Sequence, residues 1–219
     1  MMTFAEIERL AQLHGLAIVG AFHPVPEDLL PEGTATLILL GPDGPEMWEA
    51  FQAAPEVKDG APNPMDRWSR RVITEIAKDL SGTAYFPFAG PPYSPFQRWA
   101  TSGEGASPSP VSMQASARRG LWASYRGAVG LPQKLALPTR SIQSPCLGCS
   151  APCQTACPVA AFAGGNYDVP TCTRHVLSGS GAECLDGCLV RRACPAGARI
   201  NLPTAQRQFH MAAFLAANG

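Results

Sequence analysis

The first 145 residues of this chain contain no cysteine, and the whole chain lacks both a charge excess and a long apolar run. Lysine plus arginine number 17 and aspartate plus glutamate also number 17, so the basic surplus of nucleic-acid-binding proteins is missing. No apolar stretch approaches the about 20 residues that span a bilayer. The N-terminus has no basic segment followed by an apolar one, so no signal peptide is expected. These absences predict a cytoplasmic protein that binds neither nucleic acid nor a membrane.

Several motifs of well-known enzyme classes are also missing. The chain has neither a G-x-G-x-x-G sequence nor a P-loop lysine motif, so binding of dinucleotides or nucleoside triphosphates is not predicted. None of its four histidines pairs with Ser, Cys or Asp in a recognisable nucleophile arrangement. No catalytic residue is therefore assigned from the sequence.

The N-terminal part of the chain alternates helical and strand patterns. Thr3 and Glu6 form a capping box at the start of an amphipathic helix, which Gly15 ends. Asn63 and Pro64 open the longest predicted helix. This alternation indicates an α/β or α+β layer with a central sheet. Strands are predicted at 16–22, 35–41, 83–88 and 120–132, and a further short helix at 45–53.

Composition changes sharply about two thirds of the way along the chain. Residues 89–112 are too rich in Pro, Gly and Ser for regular structure, so they are expected to form a functional or mobile loop. Every lysine lies before a point near 139–144, and all eight cysteines lie after it. Two domains are predicted, 1–140 and 141–219, and the second ends in a helix that Thr204 caps.

The cysteines carry the strongest signal. Bacterial ferredoxins use the run C-x2-C-x2-C-x3-C-P, in which the fourth cysteine ligates the other cluster when two are present. Both cysteine runs of this chain end in Cys-Pro, and both contain insertions relative to the ferredoxin spacing. The runs are Cys146-x2-Cys149-x3-Cys153-x3-Cys157-Pro158 and, after Cys172, Cys184-x3-Cys188-x5-Cys194-Pro195.

Ferredoxin logic predicts two [4Fe–4S] clusters that share ligands between the two runs. Cys146, Cys149 and Cys153 are expected to hold one cluster with Cys194, and the remaining cysteines are expected to hold the other, namely Cys157, Cys172, Cys184 and Cys188. Basic residues near these ligands could offset the clusters' negative charge: Arg174, His175, Arg191, Arg192 and Arg199. The alternatives are two structural zinc sites or a disulfide framework. Against them, only one C-x2-C is present and no feature points to an oxidising compartment.

The cysteine layout, together with "CTRHVLSG" around Cys172, resembles the ferredoxin module of epoxyqueuosine reductases and reductive dehalogenases. This resemblance covers about the last 75 residues of the chain. It implies a small, mostly helical module whose two clusters feed electrons to a cobalamin held by a neighbouring domain.

The N-terminal domain resembles, more distantly, the CblC-type cobalamin-processing proteins, on the stretches TATLILLGPDGPEMWEAF, NPMDRWSRRVITEI and RRGLWASYRGAVGLP. That resemblance implies a nitroreductase-type, flavin-reductase-like α/β domain, and hence an α+β chain. Gly120, Trp122, Arg126 and Gly127 match family positions, and the last three are expected to bind the cofactor. Ser116–Ala117 stand where the family has His-Pro.

Together these resemblances imply an iron–sulfur oxidoreductase of the cobalamin-reductase type. Two [4Fe–4S] clusters would pass electrons from a redox partner protein to a bound corrinoid, to reduce its cobalt or remove its upper ligand. One alternative is a ferredoxin-type electron carrier whose N-terminal domain only docks a partner, and the missing His-Pro favours it. Another is a flavin reductase that holds FMN, although the chain shows no separate flavin signature.

Overall fold

The computed structural model describes residues 2–139 and 143–219, and within them the chain has an α+β fold. The chain divides into two compact units. The first unit comprises Met1–Gly105 and Ser124–Ile142, and the second comprises Ala106–Ala123 and Gln143–Gly219. The segment Ala106–Ala123 therefore belongs to the same unit as the cysteine-rich residues. The predicted boundary near 139–144 includes residues 140–142, which lie outside the described residues.

The helices and strands are short, as the high Gly and Pro content favours. The helices are α1 (Phe4–Leu13), α2 (Glu46–Ala53), α3 (Pro55–Lys58), α4 (Pro64–Asp79), α5 (Phe96–Glu104), α6 (Val169–Leu177), α7 (Ala182–Leu185), α8 (Leu189–Arg192) and α9 (Thr204–Asn218). The strands are β1 (Ala17–Phe22), β2 (Thr36–Gly41), β3 (Thr83–Tyr85), β4 (Ser107–Pro108), β5 (Gln114–Ala115) and β6 (Gly127–Leu131). Among the described residues, no helix is both long and apolar enough to cross a bilayer.

The first unit is built on an antiparallel sheet with the strand order β1-β2-β6-β3. Every residue of β2 is buried, which fits its position inside the sheet and its continuous apolar sequence. Helix α5 packs on β1 and β2, and α4 packs on β6 and β3. One core cluster joins Leu37 and Leu39 of the sheet to Phe96 and Trp99 of α5. The sheet and its two helices therefore enclose the hydrophobic core.

Most of the predicted elements of the first unit are confirmed, and three differ. The capping box between Thr3 and Glu6 forms, with the Thr3 backbone N–H 2.7 Å from the Glu6 Oε2. The prediction that 89–112 is irregular is wrong, because α5 lies within it. The strand predicted at 83–88 is confined to Thr83–Tyr85. The strand predicted at 120–132 is confined to Gly127–Leu131.

The second unit has a small core that is shared between apolar residues and cysteines. Val111, Leu121, Phe162 and Val190 form its centre with Cys153, and most of the other cysteines pack against that centre. Strands β4 and β5 form a two-stranded antiparallel hairpin beside this core. Because the apolar residues are few, groups that bind the cysteines would add substantially to the stability of this unit.

Candidate functional site

The first cysteine run is folded into tight turns. The Cys149 backbone N–H donates to the Cys146 carbonyl at 3.2 Å, and Gly148 between them has a φ of 73°. A short 3-10 turn, Pro152–Gln154, follows and carries Cys153. These turns bring three side chains that are near in sequence to one side of the backbone, as a ferredoxin-type run does.

Four thiols come together as the first thiol group: Cys146, Cys149, Cys153 and Cys194. Burial raises the pKa of Cys146 and Cys153, and negative charge on Cys194 and Cys149 raises both further. All four residues line one cavity of about 540 Å³. This volume falls within the about 300–1,000 Å³ that is typical of sites for small ligands.

The remaining four thiols come together as the second thiol group: Cys157, Cys172, Cys184 and Cys188. Cys172 lies in α6, Cys184 in α7, and Cys188 immediately before α8. Burial raises the pKa of Cys172 and Cys184, and negative charge on Cys188 and Cys157 adds to the effect. The four thiols are therefore near enough to act electrostatically on one another.

Each thiol group includes one cysteine from the run that supplies most of the other group. Cys157 ends the first run but faces the second thiol group, and Cys194 ends the second run but faces the first. This membership is the same as that of the two ligand sets expected from the spacing. All eight cysteines are free thiols. Among the described residues, no three His, Cys, Asp or Glu side chains are arranged as a site for a metal ion.

Backbone N–H groups also point at two of the thiols. The Ala151 N–H donates to the Cys149 Sγ at 3.4 Å, and the Ala161 N–H donates to the Cys157 Sγ at 3.3 Å. Such bonds stabilise a thiolate and leave it available to a metal. Each thiol group therefore contains one sulfur that accepts a backbone hydrogen bond.

Gly120 packs against Cys194, and the sequence alone does not predict this contact. Its φ is +51°, and a Cβ at this position would lie 2.6 Å from the Cys194 Sγ and 2.5 Å from the Gly197 nitrogen. The absence of a side chain at Gly120 therefore lets Cys194 occupy its place in the first thiol group.

Replacing Gly120 by alanine is expected to displace Cys194. If the first thiol group holds the iron–sulfur cluster that the cysteine spacing predicts, this variant should bind less iron. Gly179→Ala is a matched control, because its φ is +79° and its Cβ would meet nothing within 4 Å. We expect Gly120→Ala to lose up to about half of the total bound iron, measured by elemental analysis of anaerobically prepared protein. Equal iron in the Gly120→Ala and Gly179→Ala proteins would contradict this role.

The three residues expected to bind a cofactor in the N-terminal domain are divided between the units. Trp122 belongs to the second unit, where it packs beside Gly197. Arg126 and Gly127 belong to the first unit. Gly127 is the first residue of β6, and a Cβ there would lie 2.7 Å from the Ile73 Cδ1.

Arg126 is held by neighbours within its own unit. Its Nε donates to the Ser69 Oγ at 2.9 Å, and its guanidinium forms an ion pair with Asp66. The Phe88 ring centroid lies 5.8 Å from its Cζ. Burial lowers the pKa of Arg126, and the Asp66 carboxylate opposes this shift. Arg126 is therefore an internally paired cation that fixes α4 against the start of β6.

Comparisons of the chain with protein-family models, with curated proteins and with solved structures gave no match.

Proposed function

We propose that this protein transfers electrons through two [4Fe–4S] clusters, one held by each thiol group. The observation that carries the proposal is that Cys146, Cys149, Cys153 and Cys194 line one cavity, while the other four free thiols act electrostatically on one another. Each [4Fe–4S] cluster of the ferredoxin type takes four thiolates, so no cysteine is left over. The crossed positions of Cys157 and Cys194 are those that the ferredoxin run uses.

The surroundings of the thiols fit clusters of this kind. The cavity beside the first thiol group has room for a group larger than a single ion, and none of the described residues that line it is charged. Two backbone N–H groups donate to sulfur, as found around iron–sulfur clusters. When bound, such clusters accept and release single electrons. The chain's own residues would hold the irons, orient the thiolates and limit the access of water.

Metal analysis distinguishes this proposal from two four-thiolate zinc sites. Protein purified without oxygen is expected to contain about eight irons and eight acid-labile sulfides per chain, and a visible absorption that fades on reduction. Two zinc ions without sulfide would support structural metal sites instead and would overturn the redox function. The variants described below would be purified in the same way, without oxygen.

The acceptor of the electrons is proposed to be a corrinoid bound by the first unit, and the support for this step is the resemblance to CblC-type proteins. Titration of the anaerobic protein with cobalamin and, separately, with FMN tests it by absorption. A change with cobalamin alone supports the corrinoid. A change with FMN alone favours a flavin reductase, and no change with either favours a carrier whose first unit docks a partner.

Arg126→Ala is expected to weaken cobalamin binding by about tenfold or more, because a hydrogen bond from a charged donor contributes about 1.5–3 kcal/mol. Bound iron should stay unchanged, since Arg126 lies in the first unit. The exposed Arg9 offers a control variant, Arg9→Ala, that removes an arginine from the same unit. If Arg126→Ala and Arg9→Ala bind cobalamin with the wild-type affinity, Arg126 does not contact the corrinoid.

A further inference from the structure

Helix α9 contacts the second cysteine run through one arginine side chain. Arg207 lies in the first turn of α9, and its guanidinium donates hydrogen bonds to three different oxygens. Its Nε donates to the Asp186 carbonyl at 2.6 Å, its Nη2 donates to the Thr204 Oγ1 at 2.9 Å, and its Nη1 donates to the Leu202 carbonyl. The guanidinium therefore ties the start of α9 to a backbone carbonyl within the second cysteine run.

The same side chain packs on the turn that separates Cys184 from Cys188. Gly187 is buried in this turn with a φ of +111°, and its N–H donates to the Cys184 carbonyl at 3.1 Å. A Cβ at Gly187 would lie 2.9 Å from the Arg207 Cδ and 3.1 Å from the Arg207 Cβ. The stem of Arg207 therefore occupies the space that a side chain at Gly187 would need.

The position of this turn determines how Cys184 and Cys188 stand relative to each other. Cys184 lies in α7 and Cys188 immediately precedes α8, and each of these helices has four residues. Helices this short gain little stability from their own hydrogen bonds. A contact from outside the turn therefore contributes strongly to the placement of the two thiols, and Arg207 supplies such a contact.

We infer that Arg207 is a positioning residue, which holds Cys184 and Cys188 in the geometry that lets the second thiol group bind its cluster. Its hydrogen bonds go to carbonyl and hydroxyl oxygens, so it acts on the thiols through the turn that carries them. Removing an outer contact of this kind commonly lowers metal affinity about 10- to 100-fold. The inference rests on the part of the proposed function that gives the second thiol group a metal-containing group to hold.

The test is a chelator challenge of the anaerobically purified protein, followed by iron analysis and electron paramagnetic resonance of the reduced sample. Arg207→Ala is expected to release the iron of the second cluster about tenfold faster than the wild-type protein and to keep the first cluster. After the challenge, Cys149→Ser/Arg207→Ala should retain almost no iron, whereas Cys188→Ser/Arg207→Ala should retain as much as Cys188→Ser alone. A general loss of folding would not produce this difference.

The next residue of α9 offers a matched control. Gln208 is exposed, and its Nε2 donates to the Asp186 Oδ1 at 2.8 Å. Gln208→Ala therefore removes a contact with the side chain of the turn and leaves the contact with its backbone, so iron should be released at the wild-type rate.

A second variant changes the turn and leaves Arg207 in the sequence. Gly187→Ala introduces a Cβ against the Arg207 stem and is expected to release the second cluster faster than the wild-type protein. Gly179→Ala is its control, because Gly179 also has a positive φ, +79°, but its Cβ would meet nothing within 4 Å.

The possible outcomes distinguish this inference from the proposed function. A protein that holds two zinc ions would overturn electron transfer, and the selective loss of one zinc from Arg207→Ala would still support the positioning role. A protein that binds no metal would overturn both. If Arg207→Ala kept both clusters as long as the wild-type protein, lost both equally, or released iron no faster than Gln208→Ala, only the positioning role would be overturned.

Discussion

Replacing Cys194 by serine is expected to remove the same cluster as replacing Cys149, although the two residues lie in different cysteine runs. Both side chains belong to the first thiol group and line the same cavity. Since a cluster that loses one of its four thiolates is poorly held, each variant should lose about half of the bound iron. Cys188→Ser should lose the other half.

Double variants test whether two cysteines hold the same cluster. The Cys149→Ser/Cys194→Ser protein should retain about half of the iron, because both changes affect one cluster, whereas Cys149→Ser/Cys188→Ser should retain almost none. Ser150→Ala is a matched control beside Cys149 that removes no thiol. The measurement is the amount of iron per chain after anaerobic purification, which distinguishes the two double variants. If the Cys149/Cys194 double variant lost all of its iron, the crossed membership of the groups would be disproved.

Replacing Trp99 by alanine is expected to produce a large loss of stability in the first unit. Trp99 is 1% exposed and packs against Phe96 and Tyr85 with ring centroids 4.8 and 5.6 Å away. Its Nε1 donates to the Asp28 carbonyl at 2.9 Å. Removing a buried indole leaves a cavity and an unpaired acceptor, which together cost about 3–5 kcal/mol.

Urea unfolding followed by far-ultraviolet circular dichroism measures the effect of Trp99→Ala. The control is Tyr93→Ala, because Tyr93 is 65% exposed and its removal should change the free energy of unfolding by less than about 0.5 kcal/mol. Trp99→Phe should fall between the two, since it keeps a ring in the core but loses the hydrogen bond. If Trp99→Ala and Tyr93→Ala had the same unfolding midpoint, the position of Trp99 in the core would be wrong.

The elements of the first unit that could be predicted are those whose signals are local. Helix α1 has a capping box and α4 begins with Pro64, and both lie where the sequence places them. The sequence does not predict helix α5, because prolines and glycines surround it. Yet Pro95 precedes its first residue and Gly105, with a φ of 69°, follows its last, so these residues bound a helix as well as a loop.

In the candidate site, too, the features that local spacing encodes could be predicted, and the features that depend on distant contacts could not. The membership of the thiol groups follows from the spacing, because the ferredoxin run already separates its fourth cysteine from the first three. Gly120 acts through a contact with Cys194, a residue far from it in the sequence, and no spacing encodes that contact.

The crossed thiol groups have a consequence for the biosynthesis of the protein. Cys188 completes the second group and Cys194 completes the first, so neither set of four exists until translation has passed these residues. A nascent chain that ends before Cys184 offers at most two members of the second group and three of the first. Under the proposed function, iron and sulfide would therefore be delivered only after Cys188 and Cys194 have been translated, and a chain that stops before Cys184 would form neither cluster.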